Sequence, residues 1–172
     1  MNKLSNDEMT EIIDKYSQEL LHLCYLYTKD IRTAHEIVQD TFIKVYINYG
    51  SFRKDSLEKT WITRIAINEC KNYLKSSWKK KVVLTSEFLD QSYEQKPDDY
   101  IGNELIDLIQ ELPTKYKDLI ILYYYEELKL REISAILHVT QSTVGSRLKK
   151  ARILLKEKMK ENGIYEKYER LL

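Results

Sequence analysis

Along the first eighty positions, apolar residues recur at steps of three and four, the spacing that gathers them on one side of an α-helix. Ile12, Ile13, Tyr16, Leu20, Leu23 and Leu26 or Tyr27 predict a helix over about 7–28, with Asn6 or Asp7 as its cap. Asp30 is placed to cap a second helix over about 31–48, whose inward stripe is Ala34, Ile37, Val38, Thr41, Phe42 and Val45. The string NYGSFRKDS holds Gly50 among polar turn formers and reads as a loop. A third helix starts near Leu57, buries Trp61, Ile62, Ile65, Ala66, Tyr73 and Leu74, and ends near Trp78. Periodicity then disappears. Residues 79–102, with the acidic string QSYEQKPDDY and Pro97, read as a linker. A second periodic set follows: Ile101, Leu105, Leu108, Ile109 and Leu112, a stop at Pro113, then Tyr116, Leu119, Ile120 and Tyr123. The expected architecture is all-α, with two small helical bundle domains, 1–78 and 103–172, joined by a flexible acidic linker.

Composition narrows the picture further. Only 4 Gly and 2 Pro occur in 172 residues, too little turn chemistry for many short strands. The longest apolar run, Leu119 to Tyr125, falls far short of the roughly 18 residues of a membrane span. The opening MNKLSNDEMTEIID carries acids where a secretory leader needs an apolar stretch, so the expected location is the cytoplasm. Cys24, Cys70, His22, His35 and His138 lack metal-ligand spacing, and the cysteines read as packing residues. No cofactor and no small-molecule substrate are expected. The acids show no catalytic pairing, so the chain does not read as an enzyme.

Net charge is only +1, but its distribution is uneven. Residues 53–81 hold 9 basic and 3 acidic side chains, and residues 128–160 hold 9 and 2. Between them, residues 82–127 hold 3 basic and 11 acidic. Two basic blocks around an acidic one suggest two surfaces that approach phosphate and a connector that phosphate repels. Solvated helix faces would give the same counts, so charge alone does not settle the matter.

The second basic block contains a sharper signal. In LKLREISAILHVTQSTVGSRLKKAR, a short helix with Ile133, Ile136 and Leu137 meets a longer one with Val144, Leu148, Ala151 and Leu155 across His138, Val139 and Thr140. This is the pattern of a helix-turn-helix, with Ser134 and Ala135 small enough for a close crossing and Thr140 as the second cap. Ser142, Gly145, Ser146, Lys149 and Arg152 then share the outward face. Lys149 has the reach for guanine O6 and N7, Ser146 can donate or accept, and Arg147, Lys150 and Arg152 lie near flanking phosphates. His138 stands where such turns favour Gly, and Gly145 weakens the recognition helix by about 1 kcal/mol relative to Ala.

In the first basic block, Arg64, Asn68, Lys71 and Lys75 share one face of the third helix, with Lys79, Lys80 and Lys81 beyond. Phe52, Trp61, Tyr73 and Trp78 add flat rings near these cations, the mixture that holds unstacked bases. Trp61 and Tyr73 read better as core, Phe52 and Asn68 as base-contacting.

The strings EIVQDTFIKVY, SFRKDSLEKTWITRIAINECKNYL and LREISAILHVTQSTVGSRLKKAR, in this order, resemble the extracytoplasmic function subgroup of sigma-70 factors. The resemblance spans nearly the whole chain and implies a transcription initiation factor. It implies that the first domain binds core RNA polymerase and the minus-ten promoter element, and the second the minus-thirty-five element. Glu36, Gln39, Asp40 and Lys44 then match the polymerase contact; read without the resemblance they are ordinary solvent residues. Phe52 and Asn68 match the pocket for a flipped minus-ten base, with Arg64, Lys71 and Lys75 alongside. Thr143, Ser146, Arg147, Lys149, Lys150 and Arg152 are the candidate minus-thirty-five contacts. Gly145 replaces the usual Lys or Arg at one contact position. The resemblance also implies control by an anti-sigma factor, often membrane-bound. The competing function is a stand-alone helix-turn-helix repressor or activator, which would bind duplex operator without polymerase.

Overall fold

A computed structural model describes residues 4–52, 57–83 and 103–171, the side chains of 77–83 excepted. All secondary structure among the described residues is helical. Ile101 and the acidic linker string lie outside the described residues, as do the side chains of Trp78, Lys79, Lys80 and Lys81. The chain divides into two compact units, Met1–Pro97 and Asp98–Leu172.

In the first unit, α1 (Asn6–Thr28) and α2 (Ile31–Asn48) pack against each other and against α3 (Glu58–Val83). Ser5, rather than Asn6 or Asp7, caps α1: its hydroxyl accepts from the Glu8 amide at 3.2 Å, and the Glu8 carboxylate accepts from the Ser5 amide at 2.8 Å. This reciprocal box satisfies two backbone donors that no intrahelical carbonyl reaches. Lys29 takes a left-handed conformation that reverses the chain, and Asp30 caps α2 by accepting from the Thr33 amide at 3.0 Å. Leu23, Cys24, Ala34, Val45, Ile62, Ala66 and Cys70 are fully buried at the centre of the three helices.

The sequence pattern errs at its margins. Ile13 and Tyr73 were expected inside and are partly exposed. Tyr73 keeps its ring at the edge of the bundle, where its hydroxyl lies 3.3 Å from that of Thr33 on α2. Ile67, unclaimed by the expected stripe, fills the core, and Cys70 packs there as the reading of the cysteines expects. Helix α3 continues past Trp78 to Val83, because the lysine run is helix-compatible and contains no Gly or Pro to stop it.

In the second unit, α4 (Asn103–Gln110) and α5 (Thr114–Ile120) lie on either side of Pro113. From Ile121 to Tyr125 the chain runs on as a π-helical turn. The wider turn admits one extra residue per cycle, so Ile121 and Leu122 stay buried while the three tyrosines reach the boundary. Helices α6 (Leu130–Leu137) and α7 (Gln141–Glu161) follow, then a short α8 (Tyr165–Tyr168). Val144, Leu148, Ala151, Leu155 and Met159 form the buried stripe of α7. Helix α8 is tied back to α4, where the Glu104 carboxylate pairs with Lys167 and accepts from the Tyr168 hydroxyl.

Candidate nucleic-acid interface

Helices α6 and α7 make the helix-turn-helix. Glu132 accepts from the Lys129 amide at 2.8 Å and fixes the start of α6. His138 ends it in the left-handed region, φ 53° and ψ 44°, doing by side-chain tolerance what Gly does by lacking a Cβ. The Ser134 carbonyl accepts from the Val139 amide, and the Thr140 hydroxyl then accepts from the Thr143 amide at 3.1 Å. Ser134 therefore serves the turn through its carbonyl. Ala135 is exposed and takes no part in the crossing, which is built by the buried Ile133 and Ile136.

The outward stripe of α7 is Ser142, Ser146, Lys149 and Ile153, all exposed, with Lys150 beside it. Gly145 is half-buried, and a Cβ there would touch nothing within 4 Å, so packing within the chain does not require glycine. Thr143 is held by the Thr140 hydroxyl at 2.8 Å, and Arg147 is half-buried on the flank. Arg152 departs from the expected outward face. Its Nε donates to the Tyr124 hydroxyl at 2.5 Å, and its guanidinium lies over the Tyr123 and Tyr124 rings at 5.4 and 5.6 Å. The π-helical turn presents both rings to α7, and the cation follows them inward.

On α3, Asn68 and Lys75 are exposed, whereas Arg64 and Lys71 are half-buried. The Arg64 Nε is buried and makes no hydrogen bond, an unmet donor on the cationic face. At the start of this face stand three rings. Phe52 stacks on Trp61 with centroids 5.1 Å apart and planes at 30°, and Tyr49 meets Phe52 at 5.8 Å and Trp61 edge-on at 5.9 Å. Phe52 and Trp61 thus belong to one half-exposed cluster, although the sequence separates them into base contact and core. Tyr49 was missed by the sequence reading; only its place beside the loop glycine marked it. The Tyr49 hydroxyl donates to Glu58 at 2.6 Å, and this bond to a carboxylate pushes its pKa up to about 12.

On α2, Glu36, Gln39 and Asp40 are exposed on one face. Lys44 is tied to its own unit by an ion pair with Glu69 of α3 at 2.5 Å. The same face carries Ile43, Tyr46 and Ile47, 56%, 43% and 66% exposed. Helical spacing signals these too, since they fall opposite the buried stripe.

Two helical units, each with a cationic face and one with a helix-turn-helix, are the construction of a modular DNA-binding protein. Models of known families match both: sigma-70 region 2 over residues 12–80 and sigma-70 region 4 over residues 102–155. The ECF RNA polymerase sigma factor SigW of Bacillus subtilis is 30% identical over 94% of this chain and 94% of its own. RNA polymerase sigma factor SigV of the same organism is 32% identical over 84% and 86%. The RNA polymerase sigma-H factor of Pseudomonas aeruginosa is 30% identical over 82% and 80%. Among solved structures, the sigma factor RpoE of Bartonella quintana in complex with the anti-sigma factor NepR matches with a TM-score of 0.72 and 20% identity, covering 89% of this chain and 97% of that one. CnrH, in complex with the cytosolic domain of CnrY, matches with 0.67 and 15%, covering 91% and 90%. The chain belongs to the extracytoplasmic function subgroup of the sigma-70 family. It is therefore a transcription initiation factor and not an enzyme, and the stand-alone repressor reading is not favoured. No helix among the described residues is long and apolar enough to cross a membrane.

Proposed function

We propose that this sigma factor divides promoter recognition between its two units. The first unit, through the outward face of α2 with Glu36, Gln39 and Asp40, docks on core RNA polymerase. The cationic face of α3 takes the minus-ten element, with Asn68 and Phe52 contacting a displaced base and Arg64, Lys71 and Lys75 neutralising phosphate. The second unit places α7 in the major groove at the minus-thirty-five element. Ser146, Lys149 and Lys150 face bases or backbone there, with Thr143 and Arg147 at the flanks, and Arg152 orients the helix from behind.

The observation that carries this reading is the exposed Ser142–Ser146–Lys149 stripe on a helix fixed by a capped, three-residue turn. Such a stripe suits major-groove recognition because its polar side chains stand clear of the core. Regulation by an anti-sigma factor is inferred from RpoE and CnrH, both solved with protein partners. CnrY is represented there by a cytosolic domain, which supports a membrane-held inhibitor that keeps this chain at the inner membrane face until a stress signal releases it.

Transcription in vitro from candidate promoters, with purified core polymerase and with or without this chain, tests the reading. Specific initiation should depend on both proteins. Tight operator binding by the chain alone, without a gain in initiation, would replace the reading with the stand-alone regulator.

A further inference from the structure

The three-ring cluster at the start of α3 is held by one carboxylate. Glu58 Oε1 accepts from the Tyr49 hydroxyl at 2.6 Å, and Glu58 Oε2 accepts from the Tyr16 hydroxyl of α1 at 3.1 Å. Lys15 of α1 places its ammonium 4.0 Å from the same Oε2. Glu58 is also the first residue of α3, where the helix dipole favours an anion. The carboxylate thereby joins α1, the turn that ends α2, and α3. That turn is itself closed: the Phe52 amide donates to the Tyr49 carbonyl at 3.0 Å, and the Ser51 hydroxyl donates to the Asn48 carbonyl at 2.7 Å. Phe52 contacts the rings of both Trp61 and Tyr49, and Tyr49 is itself anchored by a charge-assisted hydrogen bond.

The core of the first unit meets this arrangement at the buried Tyr16. Its fully buried residues, Leu23, Cys24, Val45, Ile62 and Ala66, lie elsewhere, whereas Tyr49, Phe52, Glu58 and Trp61 are all partly open to solvent. A half-exposed stack braced by a part-buried hydrogen-bond node has the form of a preorganised platform, rigid before its ligand arrives. We propose that Tyr49 and Glu58 are positioning residues that hold the Phe52–Trp61 ring pair ready for a nucleobase displaced from the minus-ten duplex. This rests on the minus-ten reading above and adds to it the device that fixes the rings.

The test uses holoenzyme and pre-melted minus-ten templates, with an abasic site placed at each position in turn. The position at which Phe52→Ala abolishes the preference for base over abasic template defines the ring-contacted base. Tyr49→Phe removes one oxygen and keeps the ring; it should lower that preference by about tenfold or more, the effect of one lost hydrogen bond to a charged group. Glu58→Ala should do the same, and Glu58→Gln, which keeps an acceptor, should recover most of it. Because each preference is a ratio between two templates, a general loss of folding or polymerase affinity cancels. If Tyr49→Phe and Glu58→Ala keep the wild-type ratio while Phe52→Ala loses it, the positioning role is wrong and the base contact stands. If Phe52→Ala and Asn68→Ala also keep it, the minus-ten reading itself falls. Should Glu58→Ala not fold, Tyr49→Phe decides alone.

Discussion

At the scale of single residues, two basic side chains on one helix are set apart by their partners. Lys149 is exposed on α7, whereas Arg152 lies over two tyrosine rings and donates to one of their hydroxyls. Lys149→Ala or Ser146→Ala should therefore alter discrimination among minus-thirty-five variants, since a lost base contact costs about 1–3 kcal/mol at one position. Initiation from promoters with single changes reads this out, and a uniform loss on every variant would make both residues phosphate anchors. Arg152→Ala should instead lower the thermal stability of the second unit by about 1–2 kcal/mol, through the lost hydrogen bond and ring contact. Thermal melting compares it with Lys149→Ala, which should melt like the wild type. Tyr49 adds a test by pH. Its folded pKa of about 12 lies above the ordinary value near 10, so its bond to Glu58 contributes stability that is complete below pH 10. That contribution should fade as pH rises through about 12, and Tyr49→Phe should remove this part of the alkaline transition in a melting series.

At the scale of elements, α2 presents two faces of different character. Ala34, Ile37, Val38, Thr41, Phe42 and Val45 are buried against α1 and α3, while Ile43 and Ile47 stand open among Glu36, Gln39 and Asp40. Exposed apolar residues ringed by polar ones suit a protein partner better than solvent. Ile43→Asp and Asp40→Arg should each weaken capture of core polymerase by tenfold or so while shifting the melting temperature little, because neither side chain packs within the unit. Normal capture with a lowered melting temperature would make the positions structural. The legibility of this helix was uneven. Its buried stripe and Asp30 cap follow from spacing and side-chain chemistry, but the tie between Lys44 and Glu69 does not, since it joins residues brought together only by packing of α2 on α3.

At the scale of the whole molecule, the near-neutral chain carries two cationic helices in separate units. The chemistry expected of the two residue types on α3 differs. Asn68→Ala should leave folding and polymerase capture intact but impair promoter opening, because an amide grips a base only once it has left the stack. Lys75→Ala should leave base preference alone and reduce the salt dependence of promoter binding by roughly one ion. Permanganate reactivity of the minus-ten strand and a salt titration on a pre-melted bubble separate the two. Normal opening by Asn68→Ala, with wild-type preference at every minus-ten position, would leave α3 as an electrostatic rail.

The main helices, most of their buried stripes, the capped turn before α7 and the exposed stripe of α7 up to Lys149 were determined by the sequence itself, because helical periodicity and capping act over three to five residues and are written locally. The full run of α3 needed the structure, since no Gly or Pro marks an end to the helix after Trp78. The π-helical turn at Ile121–Tyr125, the inward course of Arg152 and the gathering of Tyr16, Tyr49 and Glu58 were decided only by tertiary packing. Each depends on partners up to 42 positions apart, whose meeting is a property of how helices cross and of no local spacing.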